Sequence, residues 1–269
     1  MSKFVPVNQK SHQAAGVEQF THYAHAAKDA LAPIVVSEVP TLLARLPLAF
    51  YKTPAMSTYQ LVAVQGLLPG QNLFLNANNQ VHELLAGYVP ACYRGYPFRL
   101  LPMEGTSEMV LCVDEESPFY HAQAEADDKS LFTAEGEPSE TVTNTRDFLA
   151  LVAKDTQKTQ SLVNLLDEYE LITPWHIRMN GLSESQRPLQ GLYHIKETSL
   201  RNLSAEQIKV LSLRGALALV YGQLFSEHRM DNLQALLTLR GQAKQAAQAA
   251  EEVDLDQLFG EKDDDLFRF

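Results

Sequence analysis

The feature that most constrains the fold is a change of hydrophobic rhythm along the chain. Between Leu48 and Leu101 the apolar residues come in short runs broken by turn residues. Leu61-Val62-Ala63-Val64 and Asn72-Leu73-Phe74-Leu75 read as strands separated by Pro69-Gly70. Met109-Val110-Leu111-Cys112-Val113 reads as another, ended by Asp114-Glu115-Glu116. From Arg146 the period changes: Phe148, Leu149, Val152, Leu162, Leu165, Leu166 and Tyr169 recur near every 3.6 residues. Asn144 or Thr145 would supply the N-cap oxygen of that helix. Sheet-forming texture followed by helix-forming texture predicts an α+β protein, with a mixed or antiparallel sheet in the N-terminal half and a helix-rich C-terminal half.

Other elements fill in this outline. An Ala-rich helix is expected over Gln19–Ala32, running into Pro33, and a short one over Val39–Leu46 before Pro47. Trp175-His176-Ile177 and Leu192-Tyr193-His194-Ile195 read as a strand pair. Ser204 and Gln207 are spaced as a capping box, opening a helix with apolar positions at Ile208, Leu211, Leu217, Val220, Tyr221 and Leu224. A last helix is expected over Met230–Ala250. The expected division is one domain over residues 1–250, strand-rich at 48–115, looped and acidic at 122–144, and helical at 145–250. The acidic–aromatic tail, 251–269, is expected to be disordered.

The net charge of −11 narrows the choice of partner. Residues 104–140 carry −10 and residues 251–269 carry −6, so the rest of the chain is mildly basic at +5. Overall acidity argues against non-specific binding to nucleic acid or to a membrane surface. The basic remainder could hold one of the acidic segments or an anionic partner, or both segments could simply be solvated. No apolar run approaches the ~18 residues of a spanning helix, and the opening residues lack a secretory core. The two cysteines, Cys92 and Cys112, do not form a metal-type pair. They read as buried free thiols, although facing positions on neighbouring strands are the alternative, and a cytoplasmic location follows. A homo-oligomer is compatible with everything in the sequence.

Signatures of chemistry are sparse. There is no nucleophile elbow, no phosphate-cradling glycine loop, and neither cysteine has the context of an activated thiol. His22, His25 and Asp29 would share one face of a helix and form a conceivable metal set, which His82-Glu83 and His176 do not strengthen. The acidic pairs look solvated, whereas a general acid needs partial burial. The expectation is a protein without a cofactor and without catalysis of its own.

Recognition is the better expectation, and it centres on Tyr88-Val89-Pro90-Ala91-Cys92-Tyr93-Arg94-Gly95-Tyr96-Pro97-Phe98-Arg99-Leu100. In one reading Tyr88, Phe98 and Leu100 pack in the core, Pro90 and Pro97 end strands, and Arg94 and Arg99 hold carboxylates from the 104–140 segment. In the other, Tyr88, Arg94, Tyr96, Phe98 and Arg99 line a binding surface, since tyrosine and arginine are favoured at hot spots. Leu258, Phe259, Leu266, Phe267 and Phe269, set among aspartates, make the tail a second docking candidate. The tail also looks like some uncleaved export signals.

The order of several motifs resembles the bacterial SapC family over roughly residues 20–240. These are Ser37-Glu38-Val39-Pro40, Leu46-Pro47-Leu48-Ala49-Phe50, Val64-Gln65-Gly66-Leu67, Gln71-Asn72-Leu73-Phe74 and Tyr88-Val89-Pro90-Ala91 followed by Tyr96-Pro97-Phe98-Arg99-Leu100. Gln190-Gly191-Leu192-Tyr193, Gly215-Ala216-Leu217 and Tyr221 to Ser226 continue the series. Two consecutive arginines often precede Tyr-Pro-Phe in that family, and a tryptophan often precedes Tyr-Val-Pro. Gly95 replaces the second arginine here, and Leu84-Leu85 lie where the tryptophan would be. The resemblance implies an accessory protein that binds a protein or peptide, because family members lie beside genes for flavin-dependent halogenase-like and cupin-type enzymes and outer-membrane receptors. It leaves room for a metal-dependent oxygenase-like accessory enzyme, or for a surface-layer or type I secreted protein.

Overall fold

A computed structural model describes residues 3–18, 22–76, 78–81, 88–103, 105, 108–177 and 187–259. Its strands are β1 (Phe4–Pro6), β2 (Gly16–Val17), β3 (Leu31–Pro33), β4 (Leu48–Tyr51), β5 (Gln60–Val64), β6 (Phe98–Pro102), β7 (Met109–Asp114), β8 (Tyr120–His121), β9 (Lys129–Ser130), β10 (Ile172–Pro174) and β11 (Leu192–Ile195). Its helices are α1 (Gln9–His12), α2 (Val39–Leu42), α3 (Ala91–Arg94), α4 (Glu140–Glu168), α5 (Glu197–Arg201), α6 (Ala205–Arg214), α7 (Ala216–Ser226) and α8 (Arg229–Phe259). The strands form three antiparallel sheets, ordered β10-β11-β4-β5-β3, β1-β7-β6 and β8-β2-β9. The α+β expectation holds, and the sheets are antiparallel.

Two hydrophobic cores result. The larger surrounds the five-stranded sheet, whose β4 and β5 are covered on both faces, which is why they read as unbroken apolar runs. Leu162, Val163 and Leu166 of α4, Leu219 and Val220 of α7, and Met230, Leu233 and Leu236 of α8 complete it. The smaller gathers Val17, Phe98, Leu111, Val113, Leu131 and Val142. Helix α4 spans both, with Val142 and Leu149 on the small core and its later turns on the large one.

Several expectations are corrected. Residues 22–32 are not an Ala-rich helix but a tight 3₁₀ turn at Ala24–Ala26 followed by β3. Ala26, Ala30 and Ala32 are buried, and pairing of β3 with β5 overrides helix propensity. Among the described residues the run Asn72–Leu75 joins no sheet beyond an isolated bridge between Leu75 and Val81. Its backbone is occupied otherwise: the Asn72 side chain accepts from Phe74 N–H at 2.9 Å, and Arg240 donates to the carbonyls of Asn72 and Leu75. The acidic loop ends earlier than expected, because Ser139 Oγ caps α4 by accepting from Val142 N–H at 3.3 Å. It is also pinned, with Leu131 and Phe132 buried.

In the C-terminal half, the partner of β11 is Ile172–Pro174 rather than Trp175–Ile177. The capping box is present, but the helix it opens breaks at Gly215, whose φ of +76° turns the chain by 91° into α7. Helix α2 stops at Leu42 rather than Leu46. Helix α8 continues to Phe259, so the first part of the expected disordered tail is helical and carries Leu258 and Phe259. Leu266, Phe267 and Phe269 lie outside the described residues. Among the described residues no single helix is long and apolar enough to cross a membrane.

Candidate functional site

The Tyr88–Leu100 segment crosses from one core to the other. Tyr93 is buried in the large core and Phe98 in the small one. Pro90 starts the helical turn α3 rather than ending a strand, and a cis bond joins Tyr96 to Pro97. Gly95 sits tight against α4, where an added Cβ would come 2.6 Å from Leu149 Cδ2. The departure from the twin-arginine pattern therefore coincides with a place where α4 leaves no room for a side chain.

Buried polar groups anchor the segment from behind. The Glu38 carboxylate is 3% exposed and accepts from Val35 N–H at 3.0 Å, Ala91 N–H at 2.7 Å and Tyr88 O–H at 3.0 Å. Arg94 Nη2 donates to the same Tyr88 oxygen at 3.0 Å, so a chain of bonds runs from the surface to Glu38. Burial, reinforced by Glu38, pushes the Tyr88 phenol up to about 12. Tyr93 O–H donates to Gln65 Oε1 at 2.7 Å, and Asn72 Nδ2 donates to the Ala26 carbonyl at 2.9 Å. Gln65 and Asn72 are fully buried. A third clamp binds α7 to the sheet: Gln223 Oε1 accepts from Ile195 N–H at 2.9 Å, Gln223 Nε2 donates to Leu48 O at 3.1 Å, and Ser226 Oγ accepts from Leu48 N–H at 2.8 Å.

The front of the segment is a ridge, Gly95 to Phe98, between two recesses of about 370 Å³ each. The first recess is walled by Phe4, Tyr96 and Phe98 and carries His25, Asp29, Cys92, Tyr93 and Arg99. The second, on the other side of Tyr96, carries Arg94, Lys129, Glu18, Tyr23, Thr141 and Thr145. The five proposed contact residues thus divide. Phe98 is buried and Tyr88 is half-buried and engaged with Glu38, while Arg94 and Arg99 are exposed and Tyr96 is half-buried between the recesses.

Among the described residues neither arginine forms the expected ion pair with the acidic segment. Arg94 instead lies over the rings of Tyr88 (5.1 Å) and Phe148 (4.8 Å), and Arg99 lies over Phe4 (4.8 Å). Such stacking fixes a guanidinium by its face; the Arg94 fork already spends Nη2 on the Tyr88 hydroxyl and keeps its other N–H groups for an anion.

Burial shifts the titratable groups of the first recess. Cys92 reaches solvent, contrary to the buried thiol expected, yet it is hemmed in. Desolvation pushes its thiol up, and the Glu38 and Asp29 carboxylates add to this, which opposes a nucleophilic thiolate. Cys112 is buried and free. Burial lowers His25 to about 4, helped by His22 and Arg99, so the ring is neutral at physiological pH and stacks on Tyr96 at 4.0 Å. His22 instead leans on Phe119 at 5.0 Å. Among the described residues no three His, Cys, Asp or Glu side chains converge as metal ligands, so His22, His25 and Asp29 do not form the metal set conceived from their spacing. His82 and Glu83 lie outside the described residues, and His176 lines a separate recess beside Trp175.

Fold and site together define an antiparallel α+β protein with a stacked-arginine ridge between two recesses. The sequence matches the SapC family over residues 7–233, most of the chain, and the protein belongs to that family. No curated protein and no solved structure matches it. Several of the motifs that carried the resemblance contain the buried clamps, at Glu38, Gln65, Asn72, Gln223 and Ser226. Sequence reasoning missed these residues as anchors. The available signal was a polar residue inside an apolar run, as Gln65 is after Leu61-Val62-Ala63-Val64 and before Gly66-Leu67.

Proposed function

We propose that this protein is a non-catalytic accessory that binds a segment of a partner protein across the Tyr96 ridge. The observation that carries the reading is the pair of stacked guanidiniums, Arg94 and Arg99, each facing its own recess without a carboxylate partner among the described residues. An acidic partner segment would place one anion on each side of Tyr96 and an apolar side chain against Tyr96 and the Phe98 wall. Two features support binding over catalysis: the raised Cys92 thiol and the absence of a convergent ligand set among the described residues. The family's genomic company favours a modifying enzyme or an export system as the partner, and the free thiols favour the cytoplasm.

Affinity purification from the native cell tests this reading when wild type is compared with Arg94→Ala and Arg99→Ala. The expected outcome is a protein captured by wild type and depleted by each substitution. The same proteins recovered in equal amounts with both variants would overturn it.

A further inference from the structure

Asp29 and Arg99 carry opposite charges, face the same recess and are not joined by an ion pair. The Arg99 guanidinium is held elsewhere, over the Phe4 ring at 4.8 Å, and the Tyr93 hydroxyl near Asp29 favours the ionised carboxylate. Tyr93 is itself buried and tied to Gln65, so it does not yield its position. The two charges nevertheless sense each other, because Arg99 stabilises the ionised form of Asp29. Partial desolvation works against that form and pushes the Asp29 carboxyl up overall, although the residue keeps access to solvent.

Opposite charges that line one aromatic-walled cavity without forming an ion pair suit a ligand that carries both complements. The cavity, about 370 Å³, lies at the small end of ligand pockets, which run from roughly 300 to 1,000 Å³. A phosphate or dicarboxylate would satisfy Arg99 with one charge and leave its second negative charge without a partner beside Asp29. A simple amine would satisfy Asp29 and leave Arg99 unused. A molecule bearing ammonium and carboxylate on one carbon satisfies both, and its remaining substituent meets Phe4, Tyr96 and Phe98. His25, neutral and stacked on Tyr96, completes the wall without adding a second cation.

We propose that this recess binds a free α-amino acid with an apolar side chain, Arg99 receiving its carboxylate and Asp29 its ammonium. The proposal goes beyond the partner-binding reading and shares Arg99, Tyr96 and Phe98 with it, but not Asp29. Isothermal titration of the full chain with the common L-amino acids tests it, using the N-acetyl and carboxamide derivatives of each as controls. At least one apolar amino acid should bind, with a loss of about tenfold or more for either derivative, since each removes one charge-assisted contact. Asp29→Asn and Arg99→Ala should each weaken binding by a similar factor, while Arg94→Ala should leave it unchanged. Heat of binding from none of the amino acids at millimolar concentration would overturn the proposal, as would derivatives that bind as well as the parent. Asp29→Asn separates the two readings: it should abolish amino-acid binding and leave partner capture intact.

Discussion

At the scale of single residues, the segment that looked like a recognition motif proves to be a two-sided object. Its inner face is fixed by Glu38, which satisfies three donors in the interior. Removing that carboxylate strands the N–H groups of Val35 and Ala91 and the Tyr88 hydroxyl. Glu38→Ala should therefore lower unfolding free energy by about 3 kcal/mol, whereas Tyr88→Phe, which removes one donor, should cost about 1 kcal/mol. Urea titrations giving equal losses for the two variants would contradict the clamp. His25 makes a different prediction. Its pKa falls from the ordinary 6.5 to about 4 in the folded protein, chiefly through burial. Between those values the unfolded chain binds a proton that the folded chain refuses, so the contribution of His25 to stability is whole above 6.5 and declines as pH falls toward 4. An NMR titration should place the His25 inflection near 4, and an inflection near 6.5 would contradict the packed site. The aromatic and arginine residues were legible in the sequence. Their division into anchored Tyr88 and presented Arg99 was not, because it depends on Phe4 and Glu38, far away in the chain.

At the scale of elements, the sequence read best where burial alone decides. β5 and β7 are central strands with unbroken apolar runs, and both were legible. Where side chains redirect the backbone the reading failed, as at Asn72–Leu75, whose strand-like composition is diverted by Asn72 and Arg240. Gly66 belongs to the same turn, and an added Cβ would lie 1.9 Å from the Gln71 carbonyl oxygen. Gly215 differs: it needs its positive φ, but nothing lies within 4 Å of an added Cβ. Gly66→Ala should cost about 3 kcal/mol through displaced backbone, and Gly215→Ala only about 1 kcal/mol of left-handed strain. Chemical denaturation that ranks them in the opposite order would refute this account of the turn. The break at Gly215 was missed because the apolar period runs through it undisturbed, and glycine in a helical pattern signals a break only weakly.

At the scale of the whole molecule, two cores are bridged by α4 and crossed by the Tyr88–Leu100 segment. The change of rhythm near residue 145 foretold the fold class. It did not foretell that α4 would lie across both cores, since that required knowing that Leu131 and Phe132 pin the acidic loop beneath its first turn. The arrangement confines the burden of stability to the inner face of the segment and leaves the two recesses in front available to ligands. The double variant Arg94→Ala/Arg99→Ala tests that separation most directly, with thermal unfolding and partner capture measured on the same preparations. Partner capture should be lost while stability falls by no more than about 3 kcal/mol, at most about 1 kcal/mol for each exposed cation–π contact of Arg94 with Tyr88, of Arg94 with Phe148 and of Arg99 with Phe4. Capture at wild-type level, or a variant that no longer folds, would contradict it.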